Sequence, residues 1–250
     1  MYQARYHYRM PNCKNCQTSL AGAYCPTCGQ RDIDLERPIW GLIRDVVEEA
    51  FELDGRAALT VKTLFRHPGM LTSEFLAGRR RTYTSPLRLY LAISISFFIV
   101  IGWFAQSGLL LEPGQDPGFD ATVQARFLSD DLPRLMFVML PAFALLMKMV
   151  YHERLYFEHL IFSLHLHSVA YVMLAMVLPL ETLASRYIGL LILQIVPFVY
   201  FLAYFVLAVR RVYQSNWLVV LFKSAIVLFA YMIVVSVVIE NTSSFLIIAD

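Results

Sequence analysis

The only four cysteines of the chain fall as Cys13-Lys14-Asn15-Cys16 and Cys25-Pro26-Thr27-Cys28, two CxxC pairs with eight residues between them. Zn²⁺ takes four thiolates in a tetrahedron, and a CxxC turn presents two sulfurs on one side while neighbouring amides stabilise them. Gly29, directly after the second pair, suits the tight turn of a zinc knuckle. The pattern reads as a zinc ribbon holding one structural Zn²⁺ per chain, with Cys13, Cys16, Cys25 and Cys28 as ligands. A metal staple has a physical reason here, because about 20 residues cannot bury a sufficient core alone. Two disulfides or four free thiols are the competing readings. Disulfides need an oxidising compartment, and the basic, tyrosine-rich stretch from Met1 to Pro11 lacks the apolar run of a secretory signal. A redox CxxC needs a thioredoxin-like context that the flanks do not offer.

A second group with chemical capacity is the run Glu158-His159-Leu160-Ile161-Phe162-Ser163-Leu164-His165-Leu166-His167-Ser168, inside an otherwise apolar segment. Ionisable groups at the centre of a bilayer cost about 2.5 kcal/mol or more, so they face the bundle interior or water. Glu158 and His165 share a helix face, whereas His165 and His167 point to different sides, so one helix cannot gather them all onto one metal. Three readings stand. Glu158 and His159 sit at the interface while His165 and His167 bond neighbouring helices; or the cluster relays protons or metal ions, for which imidazole is suited; or it serves catalysis or haem ligation. No nucleophile-plus-base motif, phosphate loop or HExxH accompanies it, and no catalytic residue is assigned.

The elements that must position these groups follow from composition. The chain has 250 residues, 58% of them hydrophobic and 16% charged, with mean hydropathy +0.56. A soluble domain carries about 25% charged residues. The expected class is therefore an all-α membrane protein: about five transmembrane helices, preceded by a small cytoplasmic zinc ribbon and amphipathic helices. Three regions are expected: tail and ribbon over 1–37, an amphipathic helical segment over 38–85, and the membrane domain over 86–250. From Ile39 to Leu53 apolar residues recur at helical spacing opposite Asp45, Glu48, Glu49 and Glu52. An acidic face favours packing on protein over lying on anionic lipid. Helices over 57–66 and around Leu71, Phe75 and Leu76 follow, closed by His67-Pro68-Gly69 and Gly78.

The first span is expected over 87–111, with Ser85 as cap and Pro86 in the first turn. The others are expected near 132–150, 160–180, 187–209 and 217–239. Arg79, Arg80, Arg81 and Arg88 place the start of the first span in the cytoplasm by the positive-inside rule. The acidic stretch 112–131 fits the outer side, and five spans leave the C-terminus outside. Pro141 and Pro197 fall inside spans, where they kink helices. Lys223 lies close enough to snorkel to the inner interface. Tyr171, Tyr200 and Tyr204 are expected to face lipid or to pack.

The order CxxC, CxxCGQ, then Glu74-Phe75-Leu76-Ala77-Gly78-Arg79-Arg80-Arg81-Thr82-Tyr83, Ser85-Pro86-Leu87-Arg88-Leu89-Tyr90-Leu91, and later Glu158-His159-Leu160 with Leu164-His165-Leu166-His167-Ser168, resembles an uncharacterised bacterial membrane family described as a domain of unknown function. The likeness runs from Cys13 through the third span, and EFLAGRRR…SPLRLYL is its most specific part. It implies a bacterial inner-membrane protein with a zinc ribbon and brings no activity with it. The ribbon alone also resembles the CxxC…CPxCG modules that head many unrelated bacterial membrane proteins.

The leading functional reading is non-enzymatic: a docking, regulatory or sensor protein of the inner membrane, in contact with the lipid bilayer and with a cytoplasmic protein partner through the ribbon or amphipathic helix. A small transporter or ion-conducting protein using Glu158, His159, His165 and His167 is the alternative, and a membrane-embedded enzyme comes third. Transport requires those side chains to line a wet cavity, and five spans do not divide into two equal repeats. Nucleic acid is not an expected partner, since Lys14 is the only cation between Cys13 and Cys28. The oligomeric state is not legible.

Overall fold

The computed structural model describes residues 12–32, 56–106, 132–184 and 190–249. The expected helix at 39–53 and the acidic stretch 112–131 lie outside the described residues. Seven helices are present among them: α1 (Ala57–Arg66), α2 (Met70–Leu76), α3 (Pro86–Gln106), α4 (Leu132–Val150), α5 (Tyr156–Ala184), α6 (Leu190–Tyr213) and α7 (Trp217–Ala249). The last five are long and apolar enough to cross a membrane. The remaining pairing among described residues consists of two antiparallel bridges in the ribbon, Asn12 with Ser19 and Tyr24 with Arg31.

The bundle is organised around α5. From Leu160 to Leu180 it carries no charge on any side, and a helix apolar all round belongs in the middle. In its membrane-crossing part 56% of residues are buried, against 17–28% in the other four. It packs on α3, α4 and α6, while α7 closes the bundle against α4 and α6. Between α3 and α5 the Tyr90 and Tyr171 hydroxyls lie 2.9 Å apart, both rings fully buried. Replacing either tyrosine by phenylalanine leaves the other hydroxyl unpaired and is expected to cost about 1 kcal/mol. Replacing both is expected to cost less than the sum of the single losses, read from thermal unfolding in detergent.

The short helices α1 and α2 are part of the bundle. Leu64 and Leu71 belong to the same buried cluster as Phe143, Phe162, Phe205 and Val209. The α1–α2 turn lies against α6: Arg211 donates to the Pro68 carbonyl at 2.7 Å, and the Tyr200 hydroxyl to the Phe65 carbonyl at 2.7 Å. Tyr200 is thus a tie to this hairpin. Tyr171 and Tyr204 are buried, which settles packing over lipid contact for both. At Gly69 the backbone is left-handed (φ 73), and a Cβ would stand 2.8 Å from the Ala208 carbonyl oxygen, so only glycine allows this approach.

Pro86 opens α3 as expected, but the expected Ser85 cap is not made by its side chain. The Ser85 hydroxyl is buried without a hydrogen-bond partner, and its carbonyl takes the first helical bond from the Leu89 amide at 3.0 Å. Between α4 and α5 the chain turns on cations. Lys148 donates to the carbonyls of His152 and Arg154 at 2.7 and 2.6 Å, and Lys223 donates to the last carbonyl of α4, Val150, at 3.0 Å. Lysines at a helix C-terminus meet unpaired carbonyls and the negative end of the dipole.

Candidate metal centre

The ribbon is two copies of one knuckle, twelve residues apart. In the first, the Cys13 amide donates to the Thr18 carbonyl at 2.8 Å and the Gln17 amide to the Cys13 carbonyl at 2.8 Å. In the second, the Cys25 amide donates to the Gln30 carbonyl at 2.8 Å and the Gly29 amide to the Cys25 carbonyl at 2.9 Å. Gln17 and Gly29 occupy the same left-handed position, with φ 63 and 69. The Thr18 and Gln30 amides donate to the Cys16 and Cys28 sulfurs, as knuckle geometry requires.

The four sulfurs lie within 4.8 Å of one another. Across the knuckles, Cys13 and Cys28 Sγ are 3.6 Å apart, and Cys16 and Cys25 Sγ 3.5 Å. A tetrahedral ion with bonds of about 2.3 Å needs sulfurs about 3.8 Å apart, whereas a disulfide would draw them to about 2.05 Å. All four cysteines are free thiols by connectivity, and their spacing fits a metal ion. The Thr18 hydroxyl, followed by its amide, holds the Cys16 thiol down at about 6, the direction of a ready thiolate. Burial pushes the Cys28 thiol up to about 11. Besides the sulfurs, the ribbon's buried core among described residues holds one apolar side chain, Leu20.

One side chain seats this ribbon on the helices. Gln30 Nε2 donates to the Gly78 carbonyl at 2.5 Å, and Gln30 Oε1 accepts from the Arg80 and Arg81 amides at 2.9 and 3.2 Å. Gly78 closes α2 in the left-handed region (φ 82), and a Cβ there would meet the Lys14 side chain at 2.5 Å. Asn15 and Thr82 add a side-chain bond at 3.2 Å. Gln30 was legible only as the last letter of CxxCGQ; its partners lie 48 to 51 residues away, beyond any local pattern. Gln30→Ala removes three hydrogen bonds at once and is expected to cost the seating about 2 kcal/mol. Hydrogen exchange at residues 78–83 should then run about thirtyfold faster, while Gln30→Glu, which keeps the acceptor and loses the donor, should fall between.

Of the arginines expected to orient the first span, Arg79 pairs with Glu74 at 2.5 Å and holds its carboxyl below the usual range, first by its hydrogen bonds. Arg80 is buried with its guanidinium over the Phe75 ring, 4.8 Å from the centroid. Arg81 lies beside Gly29 at the ribbon contact. Arg88 sits in the first turn of α3.

The polar residues of α5 are distributed among separate partners. Glu158 pairs with Arg154 at 3.1 Å and stays partly exposed. His159 Nδ1 is 2.7 Å from the Tyr213 hydroxyl of α6, with the two rings stacked. His165 Nδ1 is 2.9 Å from the Thr72 hydroxyl of α2. His167 donates from Nδ1 to the Ser163 carbonyl at 2.8 Å, and its Nε2 takes the Tyr231 hydroxyl of α7 at 2.8 Å. A neutral imidazole meets both of those bonds. His159, His165 and His167 are 0, 4 and 7% exposed, so each is packed against protein. Thr72, Tyr213 and Tyr231 give no signal in the sequence, since pairing across 54 to 93 residues is set by tertiary packing.

Residues 54–98 match the model of a family described as "Protein of unknown function (DUF3667)". Among the described residues the matched stretch covers α1, α2, the loop that receives Gln30 and the first part of α3. No curated protein and no solved structure matches the chain.

Proposed function

We propose that this is a regulatory membrane protein of the bacterial inner membrane, whose zinc-loaded ribbon faces the cytoplasm and reports its state to the helix bundle. The observation that carries this reading is the Gln30 contact. It joins the metal centre to the loop closing α2, and α2 in turn holds His165 of the central helix through Thr72. A purely structural ribbon on a tether would need no such link. Zinc is favoured over other metals because four thiolates in a tetrahedron are its preferred structural set. The cytoplasmic orientation draws support from Lys148, Arg154, Arg210 and Arg211, which lie at the same end of the bundle as the ribbon and Arg79–Arg81.

Docking of a cytoplasmic protein on the ribbon fits the same design, since Tyr24 is 61% exposed beside the second knuckle. A conducting role for the α5 histidines draws no support from their burial and their separate hydroxyl partners. The test is hydrogen exchange on detergent-solubilised protein before and after zinc removal by a chelator. A regulatory link is expected to speed exchange in residues 70–76 and 78–84 as well as in the ribbon. Acceleration confined to residues 12–32 would overturn it and leave the ribbon a structural appendage.

A further inference from the structure

The four sulfurs of the metal centre differ in how far they are open to solvent. Cys13 and Cys25, the first of each CxxC, are both 2% exposed, whereas Cys16 and Cys28, the last of each, are half-buried. The contacts across the knuckles each join one sulfur of either kind: Cys16 to Cys25 at 3.5 Å and Cys28 to Cys13 at 3.6 Å. A thiol that senses oxidants is accessible and stands beside a second thiol that resolves it. The ribbon meets that requirement twice, with the resolving sulfur shielded so that it acts on its partner and not on the oxidant. The same sulfurs lie one or two residues from the contacts that seat the ribbon. Lys14 follows Cys13 and packs on Gly78; Gly29 and Gln30 follow Cys28 and meet Arg81 and the Gly78 carbonyl; Asn15 precedes Cys16 and bonds Thr82.

We propose that the ribbon is a reversible thiol switch for peroxides, in which an accessible sulfur and the buried sulfur across from it close to a disulfide and the bound metal is given up. The Cys16 thiolate attacks one oxygen of hydrogen peroxide; the O–O bond breaks, a sulfenic acid forms and hydroxide leaves. The Cys25 thiolate then attacks the sulfenic sulfur; the S–S bond forms and a second hydroxide leaves. The two sulfurs lose two electrons between them, the two peroxide oxygens gain them, and protons from solvent turn both hydroxides into water. Cys28 and Cys13 offer the same step. Two thiolates then remain where a structural zinc site needs four ligands. A disulfide across so short a loop holds less than a structural metal, so the seat on Gly78, Arg80 and Arg81 loosens. That last link, from the oxidised ribbon to the helices, rests on the regulatory reading.

Zinc-loaded protein in detergent, titrated with hydrogen peroxide, tests it. Zinc release is followed with a chromogenic chelator, disulfides are mapped by mass spectrometry after alkylation, and hydrogen exchange is read at residues 78–84. The expected result is loss of two thiols for each zinc released, disulfides joining Cys16 to Cys25 or Cys13 to Cys28, and exchange at 78–84 as fast as in Gln30→Ala. Dithiothreitol followed by zinc should restore all three readings. Zinc kept while exposed methionines such as Met149 are already oxidised to sulfoxide would overturn the proposal. So would sulfinic acids in place of disulfides, or disulfides closed within a knuckle, Cys13 to Cys16 or Cys25 to Cys28. Chelation separates this from the regulatory reading. If chelation speeds exchange at 78–84 and peroxide does not, the switch fails and the reading stands; if the disulfides form as expected and neither treatment speeds exchange, the switch stands and the reading fails.

Discussion

A Cys25→Ser/Cys28→Ser variant is expected to lose the fold of residues 12–32 outright while the five long helices persist. With the sulfurs removed, the ribbon's core among described residues reduces to Leu20, and two pairs of bridging residues cannot hold a chain of that length. Structural zinc contributes about 10–16 kcal/mol of apparent binding free energy in small zinc peptides, and that energy is folding energy. Limited proteolysis should therefore cut the variant between residues 12 and 32 at rates set by the protease. Helical circular dichroism should stay near that of the unaltered protein, because the bundle's buried clusters do not include the ribbon. The Gln30 bonds go with the ribbon, so the 78–83 loop should open as in Gln30→Ala.

The largest effect expected within the bundle is that of Gly69→Ala. Gly69 combines a left-handed backbone with a neighbour that is itself backbone: Ala208 oxygen at 2.8 Å and Ala208 Cα at 3.0 Å from the added Cβ. The conformation costs a non-glycine residue about 1–2 kcal/mol, and overpacking against an atom that cannot rotate away adds about 1–3. The sum, about 2–5 kcal/mol, corresponds to a fall of roughly 5–15 °C in Tm for a chain of this size. Gly102→Ala, where nothing lies within 4 Å of the added carbon, is the matched control and should leave Tm unchanged or slightly raised. If both glycines behave alike, the close seating of the α1–α2 turn on α6 is wrong.

Hydropathy and capping made much of the fold legible. Helix α1 ends before His67-Pro68-Gly69 and α2 before Gly78, as those breakers require, and five long helices are found where apolar runs required. Two of the edges moved for an electrostatic reason. The third span, expected from residue 160, starts its helix at Tyr156, because Glu158 in a first turn meets the positive end of the dipole and pairs with Arg154. The fourth, expected to stop at 209, continues to Tyr213, because Arg210 and Arg211 suit a last turn. A charge ends a hydropathy run without ending a helix.

The site divides the same way. The four cysteines were legible because a CxxC pair carries its own geometry in four residues. The seating of the ribbon by Gln30 and the pairing of His165 with Thr72 were not, because each joins residues whose adjacency exists only after the bundle has packed. The expectation of an amphipathic helical segment over 38–85 could not show that α5 and α6 would cover α1 and α2.

The most direct measurement is metal content per chain by elemental mass spectrometry on detergent-purified protein, run beside Cys25→Ser/Cys28→Ser and His165→Ala/His167→Ala. One zinc per chain, absent from the serine variant and kept by the alanine variant, is the expected result. No bound metal in the unaltered protein, or a metal that survives in the serine variant and leaves with the histidines, would contradict it.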